Sequence, residues 1–244
     1  MNTFRHGGSY GDMIFGLPAV MALGGGEYIL REDMAPSMKR LLEAQPYLTV
    51  KVLNHEEWKA FVPTHNLDLF RGANALHVAH MHLQAMKVEF DLANRPYLFN
   101  ITPKRIARIA VQDTGRQRFP GHTVNWELLR PHLKDAVFIG NDLDYEIFQE
   151  ERKMEIARHK CDDIYEFAQV IAGCDLFIGN MSIGQTIAEG LKKPYVVDIY
   201  VGRPQWPLSE HAAYVGLCKE VFYWHLGVGY TGVPRPDAEL TWRQ

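Results

Sequence analysis

Two stretches of the chain carry residues whose types and spacing suit them to chemistry. The first is H-G-G-S-Y-G-D, His6 to Asp12, in which Gly7, Gly8 and Gly11 lead into an apolar run that starts at Met13. A glycine loop before a helix lets a ligand approach the backbone closely, and the amides of the helix start favour an anionic group. Asp12 then has two readings. It is a first-turn carboxylate stabilised by the helix dipole, or it is a general base, because a carboxylate at the C-terminal edge of a parallel sheet faces the ligand crevice. The second stretch is G-N-M-S-I-G-Q-T-I-A-E, Gly179 to Glu189. Asn180 or Ser182 is placed to cap a helix that opens Ile183-Gly184-Gln185; equally, free amides beside a hydroxyl and a glycine suit a diphosphate. Gln185 and Glu189 are four residues apart, so they share a helix face on which they could jointly meet a sugar or ribose.

Other spellings are weaker. Gly7, Gly8 and Gly11 do not make G-x-G-x-x-G, and no Lys-Ser/Thr pair follows for a phosphate loop. Asp142-Leu143-Asp144 spells D-x-D, but it stands between an apolar strand and a helix, so Asp144 reads as a helix cap. His77 and His80 fall on an expected strand that ends just before His82, and strand alternation puts His80 and His82 on one face. No cysteine or fourth ligand is adjacent, so no metal site is expected there. Phe222, Tyr223, Trp224 and Trp242 read as a packing stripe, with stacking on a sugar as the alternative.

The elements that must position these residues alternate between strand-like and helix-like patterns, which points to an α/β fold. Thr3–His6, Glu27–Arg31 and Leu48–Leu53 read as strands; Asp12–Leu23, kinked at Pro18, and Pro36–Ala44 read as helices. That is the skeleton of one nucleotide-fold half. Asn74–Met81 reads as a strand and Leu83–Phe90 as a short helix. Asn94-Arg95-Pro96 and Ile101-Thr102-Pro103 break the chain and put a boundary near residue 103. Beyond it, strands are expected at Arg105–Gln112, Ala136–Gly140, Asp175–Gly179 and Tyr195–Ile199. Helices are expected at Trp126–Leu133, from Asp144, at Asp163–Ala172 and at Ser182–Leu191. Asp163 with Glu166 makes a capping box. Short apolar strands alternating with helices imply a parallel sheet covered on both faces.

The bulk numbers limit the partners. With 244 residues the chain falls between one and two domains of about 150 residues. Its net charge of −3 and pI near 6.4 argue against a partner bound through its phosphate backbone, so no nucleic acid is expected. No apolar run reaches the roughly 18 residues of a membrane span. Met1 to Gly11 lacks the apolar core of a signal peptide, and three scattered cysteines without a C-x-x-C pair suit reduced thiols, so a cytoplasmic location is expected.

G-D-M-I-F-G-L-P-A-V-M-A-L, Gly11 to Leu23, resembles the N-terminal signature of the ADP-heptose:lipopolysaccharide heptosyltransferase-like family. F-I-G-N-M-S-I-G-Q-T-I-A-E-G-L-K-K-P, Phe177 to Pro194, is similar to its donor-binding signature, and D-D-I-Y-E-F-A-Q-V-I-A-G-C resembles its preceding helix. The similarity covers Gly11 to Leu23 and Arg105 to Pro204, with only a loose match between. The resemblance implies a GT-B-like glycosyltransferase with two Rossmann-like domains, 1–103 on the acceptor side and 104–204 on the donor side. A tail, 205–244, would pack back on the first domain. It further implies inverting transfer from a nucleotide-diphosphate sugar to a hydroxyl of a glycan or glycolipid, with no cofactor and no required metal. Asp12 would be the base. Gly7, Gly8 and Gly11 would form the acceptor or phosphate loop. Asn180, Ser182, Ile183, Gly184, Gln185 and Glu189 would bind the donor. Arg116, or Arg203, would meet the diphosphate. Where the family's donor turn has an Asp and, further on, a His, this chain has Met181 and Thr186. Those departures motivate an alternative: a GT-B-like module that holds a nucleotide or glycan without turnover.

Overall fold

The computed structural model describes residues 1–73, 77–115, 126–198 and 212–215. Among the described residues, ten strands form two sheets, and every strand pair is parallel. The first sheet holds β1 (Thr3–Arg5), β2 (Gly26–Arg31), β3 (Leu48–Leu53) and β4 (His65–Asn66) in the order β3-β2-β1-β4. The second holds β5 (Ile109–Gln112), β6 (Ala136–Ile139), β7 (Ala157–His159), β8 (Leu176–Asn180), β9 (Tyr195–Asp198) and β10 (Ala212–Val215), in the order β10-β9-β8-β5-β6-β7. Counted within its own half, that is strand order 3-2-1-4-5-6, the Rossmann arrangement, and the order reverses between β5 and β8.

The alternation of side chains across the second sheet explains its two covers. Ile109, Val111, Phe138, Leu176, Ile178 and Val196 pack into one apolar cluster with Trp126 and Phe148. Their neighbours Ala110, Val137, Phe177, Tyr195 and Val197 face the other way, into a second cluster. That second cluster continues through Ile187 of α8 (Ile183–Leu191) and Ile14 of α1 (Tyr10–Phe15) to Phe4 and Leu30 of the first sheet. The two halves therefore share buried apolar surface. Backbone bonds reinforce the join, because the Tyr97 and Leu98 amides donate to the Gly190 carbonyl at 3.0 and 3.1 Å. A Cβ on Gly190 would lie 2.8 Å from both side chains, so glycine permits this approach.

The helices follow their caps. The run expected as one kinked helix is two: α1 stops at Gly16, and Pro18 sits in the first turn of α2 (Leu17–Ala22). Gly24 and Gly25 take φ of +84° and +70° to turn the chain into β2. α3 (Ala35–Glu43) and α7 (Ile164–Gly173) lie where the patterns place them, and Asp163 caps α7 by accepting from the Glu166 amide. α4 (His55–Ala60), capped by Asn54, was not legible in the pattern. The strand expected up to Met81 is instead the start of α5 (Val78–Ala85), because the His77 ring accepts from the Ala79 amide and opens a helix. His80 and His82 therefore leave their expected common face. Asp144 is not a cap. Asn141 caps α6 (Asp142–Arg152), and Asp144 is its third residue.

The expected boundary at 103 falls in the stretch between the 3-10 turn Phe90–Asn94 and β5. Of the tail beyond 204, residues 212–215 extend the second sheet as β10 rather than packing on the first half. The rest of that tail, with Phe222, Tyr223, Trp224 and Trp242, lies outside the described residues, as does Cys218. Among the described residues, no helix is long and apolar enough to cross a membrane.

Candidate functional site

The loop between β1 and α1 is held by its own side chains. Gly7 donates its amide to both oxygens of Asp68, at 3.1 and 2.9 Å. Gly8 donates to Nδ1 of His6 at 2.8 Å, and Ser9 donates to Asp12 Oδ2 at 3.2 Å. Three successive amides of the expected anion loop are thus already engaged. Asp12 completes a capping box, since its own amide donates to the Ser9 hydroxyl at 3.3 Å. Its carboxylate stays 18% exposed and lies 3.8 Å from the Arg71 guanidinium, which rests over the Phe70 ring. A Cβ on Gly8 would lie 2.4 Å from the His6 ring, 2.9 Å from Arg71 and 3.0 Å from Asp12, so glycine is what lets these groups close around the loop.

His6 is buried, and burial pushes its imidazole down to about 4, against the opposing pull of Asp68 and Asp12. The neutral ring accepts the Gly8 amide on Nδ1 and so carries its proton on Nε2. His82, also buried, stacks on Phe70 with centroids 4.2 Å apart and lies 5.1 Å from the His6 ring. Burial holds both His77 and His82 well below the usual histidine range.

The second junction is held by neutral amides. Oε1 of Gln112, the last residue of β5, accepts from the Ser182 hydroxyl at 2.6 Å and from the Gly184 amide at 3.0 Å. Asn180 ties the end of β8 to the loop after β5. Its Nδ2 donates to the Thr114 carbonyl at 2.8 Å and to Asp113 at 3.2 Å, while its Oδ1 accepts from the Thr114 amide. Arg152 then braces Asp113 from the other side at 3.1 Å. Gln185 and Glu189 do share a face of α8, but it is the fully buried one. Glu189 meets the Lys192 ammonium and accepts from the Tyr195 hydroxyl at 2.5 Å.

Between these junctions lies a cavity of about 990 Å³. The first half contributes Ser9, Tyr10, Gly11 and Met34. The second contributes Gln112, Thr114 and Gly115 after β5, then Asn141, Leu143, Asp144, Ile147 and Glu151 around α6, and Met181, Ser182, Ile183 and Thr186 at α8. The ends of β1, β5, β6 and β8 therefore converge on one space. A Cβ on Gly11 would lie 3.2 Å from the Thr186 hydroxyl, so Gly11 is where the two junctions approach each other. Of the residues marked in the sequence, Gly11, Ser182 and Ile183 line the cavity. Asp12 follows directly on the lining residues without being one. Gly7, Gly8, Asn180 and Gly184 position the walls, and Gln185 and Glu189 lie in the core. Arg116 and Arg203 lie outside the described residues. Sequence reasoning missed Gln112, Asp68 and Arg71. A polar residue ending an apolar strand marks Gln112, but no local pattern marks the other two.

No protein-family model matches the sequence, and no curated protein matches it. Solved structures do match. The glycosyl transferase family 9 structure from Veillonella parvula aligns with a TM-score of 0.61 at 14% identity, over 87% of this chain and 84% of that one. The E. coli ADP-heptose LPS heptosyltransferase II aligns at 0.60 and 13%, over 93% and 98%. The E. coli heptosyltransferase WaaC, solved with ADP-2-deoxy-2-fluoro heptose, aligns at 0.57 and 13%, over 87% and 91%. The chain has the GT-B-like fold of these glycosyltransferases. The strand-order reversal at β5 and β8 and the cavity between the halves are features of that fold in this chain. Among the described residues, no three His, Cys, Asp or Glu side chains gather as a metal cluster, the histidines at 77, 80 and 82 included.

Proposed function

We propose that the protein transfers a sugar from a nucleotide-diphosphate sugar to a hydroxyl of a glycan or glycolipid acceptor, with inversion and without a metal. The observation that carries this reading is the convergence of four strand ends and three helix starts on one cavity, beside a partly exposed carboxylate. Neighbours of the same fold were solved with ADP and with ADP-heptose, which supports a donor of that class.

Asp12 accepts the proton of the acceptor hydroxyl as its oxygen forms a bond to the anomeric carbon. The bond from that carbon to the diphosphate oxygen breaks on the opposite face, and its electron pair leaves with the diphosphate. Both carboxylates of the D-x-D spelling are engaged within the fold, Asp142 by Arg158 and Lys160 and Asp144 by Asn141 and the Gly115 amide. That supports transfer without a metal held there.

Asp12→Asn should cut transfer by about 10²–10⁴-fold while calorimetry still detects ADP-heptose binding. Full activity in that variant removes Asp12 from the role of base. One observation favours a second reading, a binding module without turnover: among the described residues, no Lys or Arg lines the cavity. Transfer or donor hydrolysis with any nucleotide-sugar discards that reading.

A further inference from the structure

The start of α8 lies where the strand order reverses, the place at which such sheets present helix amides to a ligand's phosphate. Here Gln112 fills it. Its Oε1 takes the Ser182 hydroxyl and the Gly184 amide. The fit is built from both sides. The β5–β8 register sets Gln112 opposite Gly179, where a Cβ would lie 2.6 Å from the Gln112 carbonyl oxygen, and a Cβ on Gly184 would lie 2.6 Å from Oε1. Gln112 is buried, yet it lines the cavity. The adjacent Thr186 hydroxyl donates to the Ser182 carbonyl at 3.2 Å. What Ser182 and Thr186 still offer the cavity is oxygen lone pairs, which receive hydroxyl donors and repel phosphate oxygens.

We infer that Gln112 is a specificity-determining residue: it holds the anion position at the start of α8, so the wall formed by Ser182 and Thr186 receives a hydroxyl-bearing ring of the donor, its sugar or its ribose, and the diphosphate lies elsewhere in the cavity. The ring assignment rests on the donor class proposed above; the role of Gln112 does not.

Gln112→Ala frees a hydroxyl and an amide donor, and inorganic diphosphate should then bind about tenfold or more tightly than to the wild type, read by calorimetry. Gln112→Glu keeps an acceptor in place and adds negative charge, so it should bind diphosphate no better than the wild type. Equal binding by wild type and Gln112→Ala, or tighter binding by Gln112→Glu, overturns the inference whether or not sugar transfer is ever observed. Thr186→Val reads the ring, with ADP and ADP-heptose as probes. Weaker binding of both places the ribose at this wall, and weaker binding of ADP-heptose alone places the sugar there. Unchanged binding of both overturns the ring assignment. A wild type that binds neither probe removes the donor reading, and the diphosphate result alone then decides Gln112.

Discussion

Two of the strand-to-helix junctions that face the cavity, β1–α1 and β8–α8, are built alike and wired differently. Each follows a strand of a parallel sheet, and in each the protein's own side chains engage backbone amides of the junction. At the first, the groups that do so are two carboxylates and an imidazole: Asp68 on Gly7, Asp12 on Ser9 and His6 on Gly8. At the second they are neutral carboxamides, Gln112 on Gly184 and Asn180 on Thr114. A junction held by carboxylates keeps one of them partly exposed beside an arginine, where the proposed function uses it on a proton. A junction held by carboxamides presents fixed shape and hydrogen-bond polarity. On the proposed function, one end of the cavity carries the chemistry and the other the recognition.

The largest effects separate those roles. Asp12→Asn leaves the side chain able to accept the Ser9 amide, so the fold should persist, but it cannot take a proton. Sugar transfer should fall by about 10²–10⁴-fold with donor affinity unchanged. At the recognition end the vulnerable residue is Glu189, which anchors the far turn of α8. Glu189→Ala leaves the largely covered Lys192 ammonium with the Ala93 carbonyl but without its carboxylate, and deprives the Tyr195 hydroxyl of its acceptor. A loss of about 3–5 kcal/mol is expected from the urea midpoint, because breaking a buried pair from one side strands the other charge. If Glu189→Ala instead folded normally and lost only donor affinity, Glu189 would face the ligand and the contrast between the junctions would fail.

What was legible in the sequence follows the range of the interactions involved. Strands such as Leu48–Leu53 and helices such as Ile164–Gly173 declare themselves through local periodicity and a cap three residues away. The shared face of Gln185 and Glu189 was legible too, because helical spacing is local. That the face points into the core was not, since it depends on Tyr195 and on the packing of Tyr97 against α8. Gln112 became a cap only through the register of β5 with β8, about 70 residues apart in the chain. The stretch around His77 misled because its alternation of histidines with apolar residues imitates a strand, whereas one ring-to-amide bond starts a helix. Asp68 and Arg71 reach the site on a 3-10 turn, Leu67–Gly72, that no periodicity announces.

The charged junction should also be the acid-sensitive one. The folded-state value of His6, about 4, lies below the ordinary 6.5, so the unfolded chain takes up this proton first as pH falls. Stability from the neutral ring is complete above about pH 6.5 and declines as pH drops toward 4, by about 3 kcal/mol in full. His6→Asn keeps an acceptor for the Gly8 amide and cannot titrate, so its urea midpoint should fall less steeply over that window. His77 contributes equally in both proteins, and His82, 5.1 Å from the His6 ring, loses one cause of its lowered value in the variant, which flattens the slope in the same direction. Hydrogen exchange gives the local version. Protection of Gly8 should weaken toward pH 4 and that of Gly184, held by a carboxamide, should not. Identical pH slopes in wild type and His6→Asn would place the acid sensitivity elsewhere.

The smallest effect tests whether the two caps differ in kind. Ser9 is a true side-chain cap, accepting from the Asp12 amide, and Ser9→Ala should cost about 1 kcal/mol. Ser182 stands at the same position of α8, yet its hydroxyl accepts from no helix amide and instead donates to Gln112. In Ser182→Ala the Gly184 amide keeps Gln112 as its acceptor, and only one of two bonds to that oxygen is lost. The cost should therefore be smaller, about 0.5 kcal/mol. Urea midpoints at constant m-value rank the pair directly. If Ser182→Ala proves the costlier, the start of α8 is capped by its own serine, Gln112 is no more than a neighbour, and the recognition end of the cavity must be held as the chemical end is.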